Sequence, residues 1–108
     1  EDSEVIAINE GQFFDDLLNF VKKSVDYDKK MVIVCGLDGD SERKPFGQML
    51  DIIPLCDTVV KLHSFCKICN NGTPGIFSKR IDNRKKDQIL VGATQEYIPV
   101  CRKHFNMD

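Results

Sequence analysis

No apolar run in these 108 residues approaches the roughly 18 that a helical membrane span needs, and no charged-then-apolar leader opens the chain. The composition therefore predicts a cytoplasmic protein with no membrane partner. Charge of one sign is also lacking, because 15 Lys and Arg stand against 17 Asp and Glu for a net charge of -2, which points away from nucleic acid. Internal repeats and low-complexity tracts are absent. The five cysteines are an odd number without secretory context, so a disulfide framework is disfavoured against metal binding or free thiols. An initiating Met is missing as well; the chain opens on Glu1 and enters an apolar run almost at once, so it is expected to begin inside a longer domain.

A chain this short has room for one small core, since only about two thirds of its unfolded surface can be buried. Its 42% of apolar residues falls into a recognisable order. "EVIAI" (4–8) reads as a buried strand, "QFFDDLLNFVKKSV" (12–25) has helical periodicity, and "KMVIVCGLDGD" (30–40) reads as a second strand closed by a glycine turn. Strand, helix, strand implies a parallel pair with a right-handed crossover. "PFGQMLDIIPL" (45–55) predicts a short helix ended by Pro54, and "TVVKLHS" (58–64) a third strand. Beyond Cys66 come turn residues, the strand-like pieces "IFSKR" and "QILVG", and the polar loop between them. The expected class is α/β: residues 1–64 form part of a parallel-sheet core, and residues 65–108 a small, loop-rich subdomain.

"CKIC" (66–69) and "CRKH" (101–104) carry the metal signal. A C-x2-C pair and a C-x2-H pair would bring Cys66, Cys69, Cys101 and His104 around one tetrahedral Zn²⁺, and four protein ligands make a closed, structural site. A loop-rich segment gains folding free energy from such a clip. Cys35 and Cys56 lie in apolar runs and are read as core residues; His63 is read as structural.

In a parallel α/β sheet, ligands bind at the carboxyl ends of the strands. Asn9 and Glu10 end the first predicted strand, while Leu37, Asp38 and Gly39 end the second. A carboxylate there can accept a proton from an attacking hydroxyl or hold Mg²⁺. It can equally be an acid that favours a helix N-terminus, and spacing alone leaves both open. Phe13 and Phe14 are core residues or, for one of them, a ligand contact. No G-x-x-x-x-G-K-[ST] phosphate loop occurs in the sequence.

Taken in order, "INEGQFF", "VIVCGLDGDSERKPFGQMLDIIPL", "VVKL", the C-x2-C pair, "FSKR" and "VGATQEYIPVCRKH" resemble the zinc-containing thymidine kinases of cytosolic animal, bacterial and poxvirus forms. The resemblance runs over nearly the whole chain and covers the latter part of such a kinase. It implies a P-loop-kinase, RecA-like core with a zinc-anchored lasso, and transfer of the ATP γ-phosphoryl group to the 5′-hydroxyl of thymidine. Glu10 then matches the catalytic base. Asn9, Glu10, Gly11 and Gln12 match the ATP and Mg²⁺ side of the site. Phe13, Leu37, Ser41, Phe46 and Ser78 match positions around the nucleoside. Gln88, Ile89, Leu90, Val91, Gly92 and Tyr97 match the lasso that closes over thymine. The resemblance further implies a homotetramer and feedback inhibition by thymidine triphosphate.

The departures from the family pattern are specific. Asn9 replaces an Asp directed at magnesium, Ser41 replaces a Phe that packs on thymine, "VGA" (91–93) replaces I-G-G, and His104 replaces a fourth Cys. Without a phosphate loop, residues 1–108 alone are expected to be inactive. The competing expectation is a non-catalytic, zinc-stabilised module for nucleotide sensing or oligomerisation, motivated by Asn9 and Ser41. A nucleic-acid-binding zinc ribbon would rest on Arg80, Arg84, Lys85 and Lys86, which Asp82 and Asp87 dilute.

Overall fold

The computed structural model describes residues 4–81 and 97–107. The chain divides into two compact units, Glu1–Asp40 with Lys44–Val60, and Ser41–Arg43 with Lys61–Asp108.

The first unit is built on two parallel strands, β1 (Val5–Ile8) and β2 (Met31–Val34), in the register Val5 to Met31 through Ile8 to Val34. Between them lie a 3-10 turn (Gly11–Phe13), the helix α1 (Leu17–Lys22) and a π-helical turn (Lys23–Tyr27). This is the expected strand, helix, strand unit, but the helix starts at Leu17, five residues later than its periodicity predicts. Gly11 is held instead by its N–H to the Cys35 carbonyl at 2.9 Å, which pulls Gly11–Phe13 toward the end of β2. Leu17, Val21 and Ser24 are buried at helical spacing, and Leu17 and Val21 pack with Ile52 as the core. Lys29 ends the helical stretch in left-handed backbone (φ 59°), with the Lys30 N–H returning to the Ser24 carbonyl. The Lys23 ammonium bonds Asp28 at 2.8 Å and holds that exposed carboxyl below its ordinary range.

Pro54 does not end the helical segment expected over 45–55 but lies within it, since Leu50–Leu55 is a 3-10 helix. Residues 58–63 pair with no strand among the described residues, so only Ser64 of "TVVKLHS" falls in a strand. β-branched composition favours an extended chain, yet a strand needs a partner for its ladder. Cys35 and Cys56 are exposed rather than in the core. The Cys56 thiol instead meets the Ile52 carbonyl at 3.2 Å.

The second unit contains two antiparallel ribbons. β3 (Ser64–Phe65) pairs with β4 (Pro74–Gly75), and β5 (Phe77–Arg80) pairs with β6 (Tyr97–Val100). The short helix α2 (Arg102–Phe105) follows. Pro99 sits inside β6 opposite Ser78, where its carbonyl accepts the Lys67 N–H at 2.9 Å. "QILVG" lies outside the described residues.

Candidate functional site: a braced acidic turn and a metal centre

In the first unit, β1 ends in a turn with unusual backbone. Glu10 occupies the left-handed region (φ 57°, ψ 48°), which costs a residue with a Cβ about 1–2 kcal/mol. Such strain persists only where surrounding contacts over-determine it. Here the bracing is explicit. The Gly11 N–H bonds Cys35, and the buried Gln12 side chain donates from Nε2 to the Glu10 carboxylate at 2.8 Å. Its Oε1 accepts the Leu37 N–H at 3.0 Å. A Cβ on Gly36 would lie 2.6 Å from Gln12 Oε1 and 3.0 Å from the Gly11 nitrogen, so a larger residue there would displace the amide.

Asn9 and Glu10 are exposed at this strand end. Phe13, 66% exposed, meets Phe46 edge to face with ring centres 5.5 Å apart. Leu37 is likewise exposed. The first unit therefore gathers Glu10, Gln12 and Leu37 by hydrogen bonds and Phe13 with Phe46 by ring contact. Ser41 belongs to the second unit, where Ser78 lies on β5 and Tyr97 on β6, paired with Arg80. Gln88, Ile89, Leu90, Val91 and Gly92 lie outside the described residues.

In the second unit, the donor atoms of Cys66, Cys69, Cys101 and His104 all lie within 4.8 Å of one another. The Cys69 and Cys101 sulfurs are 3.7 Å apart. His104 presents Nδ1 at 3.6, 3.4 and 3.3 Å from the sulfurs of Cys66, Cys69 and Cys101. A tetrahedral ion with bonds of about 2.3 Å to sulfur and 2.0–2.1 Å to nitrogen requires S···S edges of about 3.8 Å and S···N edges of about 3.5 Å. The residues fit such an ion.

Local sequence explains the fit. The turn after Cys66 closes with the Asn70 N–H on the Cys66 carbonyl, and Asn70 takes left-handed backbone (φ 54°), which asparagine tolerates. The Cys69 N–H points at the Cys66 sulfur at 3.4 Å. Cys101 precedes α2 and His104 lies three residues on, so one helical turn brings their donors together. Burial pushes the Cys66 thiol up, but N–H groups from Cys69 and Cys101, with the His104 ring, outweigh it and bring it from 9.0 to about 6. Burial pushes the Cys69 thiol up, and the neighbouring thiols of Cys66 and Cys101 add to that.

Sequence reasoning missed a second cluster around the metal helix. The Arg43 guanidinium lies 4.4 Å from the Phe105 ring centre and 5.1 Å from that of Phe77, with Arg102 4.9 Å over Phe77. Nothing in the spacing of these residues signals it. Lys79 donates from Nζ to the carbonyls of His104 (2.8 Å) and Met107 near the C-terminal end of α2.

Similarity to known proteins extends over nearly the whole chain. Thymidine kinase from rice (Oryza sativa subsp. japonica) is 48% identical over 102 residues, covering 94% of this chain and 36% of the relative. Thymidine kinase a of Arabidopsis thaliana is 47% identical, with 94% and 42% covered, and the Variola virus (isolate Human/India/Ind3/1967) thymidine kinase is 44% identical, with 94% and 55% covered. The chain thus spans from about a third to just over half the length of these curated relatives. The family model described as Thymidine kinase matches residues 1–105, and the chain belongs to the thymidine kinase family.

Proposed function

We propose that this chain is the base-bearing and metal-bearing portion of an ATP-dependent thymidine kinase. The observation that carries the reading is the placement of Glu10 at the carboxyl end of a parallel strand, in strained backbone braced by Gln12. Glu10 takes the proton of the thymidine 5′-hydroxyl as that oxygen bonds the γ-phosphorus, and the bond from phosphorus to the β–γ bridging oxygen breaks to release ADP. Phosphoryl transfer is mainly positioning and charge stabilisation, so a fixed carboxylate is useful where a mobile one is not.

Asn9 and the turn through Gly11 and Gln12 serve the ATP side, where Asn9 offers Mg²⁺ a neutral amide oxygen. Mg²⁺ supplies charge neutralisation on the phosphates. By the family resemblance, Phe13, Leu37, Ser41, Phe46, Ser78 and Tyr97, with residues 88–92, are assigned to nucleoside binding. Cys66, Cys69, Cys101 and His104 hold a structural Zn²⁺ that anchors the lasso and helps exclude water. Residues 1–64 then carry the nucleotide core and 65–108 the lasso. Homotetramer formation, inhibition by thymidine triphosphate and cytoplasmic residence belong to the same reading.

The test is phosphorylation of thymidine by ATP with the full-length protein. Glu10→Gln is expected to lower kcat by about 10²–10⁴-fold, the usual worth of a general base. Wild-type protein that binds thymidine without turnover would favour instead the non-catalytic sensor that Asn9 and Ser41 motivate.

A further inference from the structure

We infer that Gln12 is a positioning residue for Glu10: its side-chain amide links the carboxylate at the end of β1 to the backbone at the end of β2. The inference rests on the reading of Glu10 as the base.

The hydrogen bonds fix the orientation of the amide without ambiguity. A carboxylate offers only acceptors, so Nε2 must face Glu10; a backbone N–H offers only a donor, so Oε1 must face Leu37. Flipping the amide would break both bonds at once. Gln12 is 4% exposed, so neither end has water as an easy substitute. The main chain is clamped on either side of the relay, by the Gly11 N–H on Cys35 and by Gly47, whose left-handed backbone (φ 58°) lies so close that a Cβ there would sit 2.2 Å from the Gln12 carbonyl oxygen.

The arrangement addresses a definite problem. Glu10 is exposed, and an exposed Glu side chain ordinarily samples many rotamers. One donor from a buried, doubly bonded amide selects among them and leaves the second carboxylate oxygen for the hydroxyl. The left-handed backbone of Glu10 directs the side chain toward that donor at a conformational cost that the two clamps offset. Gln12 thus contributes to the reaction through Glu10.

The experiment is a double-mutant cycle in the full-length protein with thymidine and ATP. Gln12→Met removes both bonds at similar volume and is expected to lower kcat about 10- to 100-fold, with KM for thymidine changed less than about twofold, as for a reacting group displaced by about an ångström. In the Glu10→Gln background, the same substitution should change kcat by less than about twofold, because its route of action is gone. Gln12→Glu keeps an acceptor for Leu37 but removes the donor to Glu10, and should lose kcat to a similar degree. This variant also serves if Gln12→Met fails to fold. Additive losses in the cycle, a rise in KM for thymidine in place of the fall in kcat, or full turnover by a folded Gln12→Glu protein would each overturn the inference. Full turnover by Glu10→Gln would show instead that the base is misassigned, and the inference would fall with it.

Discussion

The side-chain oxygen of Gln48 accepts the backbone N–H of Leu18 at 2.7 Å, thirty residues away in sequence. Asp16 stands at the N-cap of α1 yet makes no side-chain cap bond. The first turn of this helix is therefore satisfied by a distant residue rather than by the adjacent acid. Gln48→Ala should destabilise the protein by about 0.5–2 kcal/mol, the usual range for losing a cap. Asp16→Ala should cost less, and thermal melting of the two variants compares them.

Gly36→Ala should reproduce the effect of losing Gln12 without touching that residue. The new methyl would lie 2.6 Å from Gln12 Oε1 and 3.0 Å from the Gly11 nitrogen, so the relay must shift. We expect kcat to fall about 10- to 100-fold in full-length protein, on the same misplacement argument. Near-normal kcat in a folded variant would show that the relay tolerates the shift.

Arg43 should hold its turn through aromatic faces more than through charge alone. Arg43→Ala removes contacts with both Phe105 and Phe77 and is expected to cost about 1–2 kcal/mol, whereas Arg43→Lys, with a compact ammonium, should recover part of that. Thermal denaturation at low and high salt distinguishes the two contributions, since ring contact persists under screening.

Metal analysis of purified protein should find one zinc per chain. Removing it with a strong chelator should unravel the second unit, because the ligands come from segments with few buried apolar residues of their own. Cys69→Ser and His104→Ala should each lower zinc affinity at least 10-fold. The readouts are metal content and the far-ultraviolet dichroism lost on chelation.

Zinc retention should depend on pH with a sign set by Cys66. Its folded value of about 6 lies below its ordinary 9.0, so the unfolded chain binds more protons between these values. The stabilising contribution is therefore complete above pH 9 and lost as pH falls through 6. Zinc binding requires deprotonated thiols, so zinc content should fall as the pH is lowered, measured after dialysis at each pH. Retention unchanged down to pH 4 would contradict this assignment.

The cluster of three cysteines and a histidine was legible because two pairs with x2 spacing fix donor types and local turns before any fold is known. The parallel pair was legible for a similar reason, since apolar β-branched runs at 5–8 and 31–34 flank a helical pattern and leave little freedom in topology. Helix limits were less so. The periodicity over 12–25 is real, but the buried amide of Gln12 and the Gly11–Cys35 bond draw the first residues into a separate turn. "TVVKLHS" shows the converse, where residues 58–63 have strand composition without a strand partner among the described residues.

Glu10 was visible in the sequence as an acid at a strand end, and its neighbours placed it within a kinase-like motif. What fixes its geometry is tertiary. The left-handed backbone, the buried amide of Gln12 and the receiving N–H of Leu37 come from segments 25 residues apart. Sequence by itself determined which atoms are available: three thiols, an imidazole, one exposed carboxylate and a glycine-lined turn. Only the fold decided which of them meet, because hydrogen bonds and ring contacts act over a few ångströms, a scale that chain order does not specify.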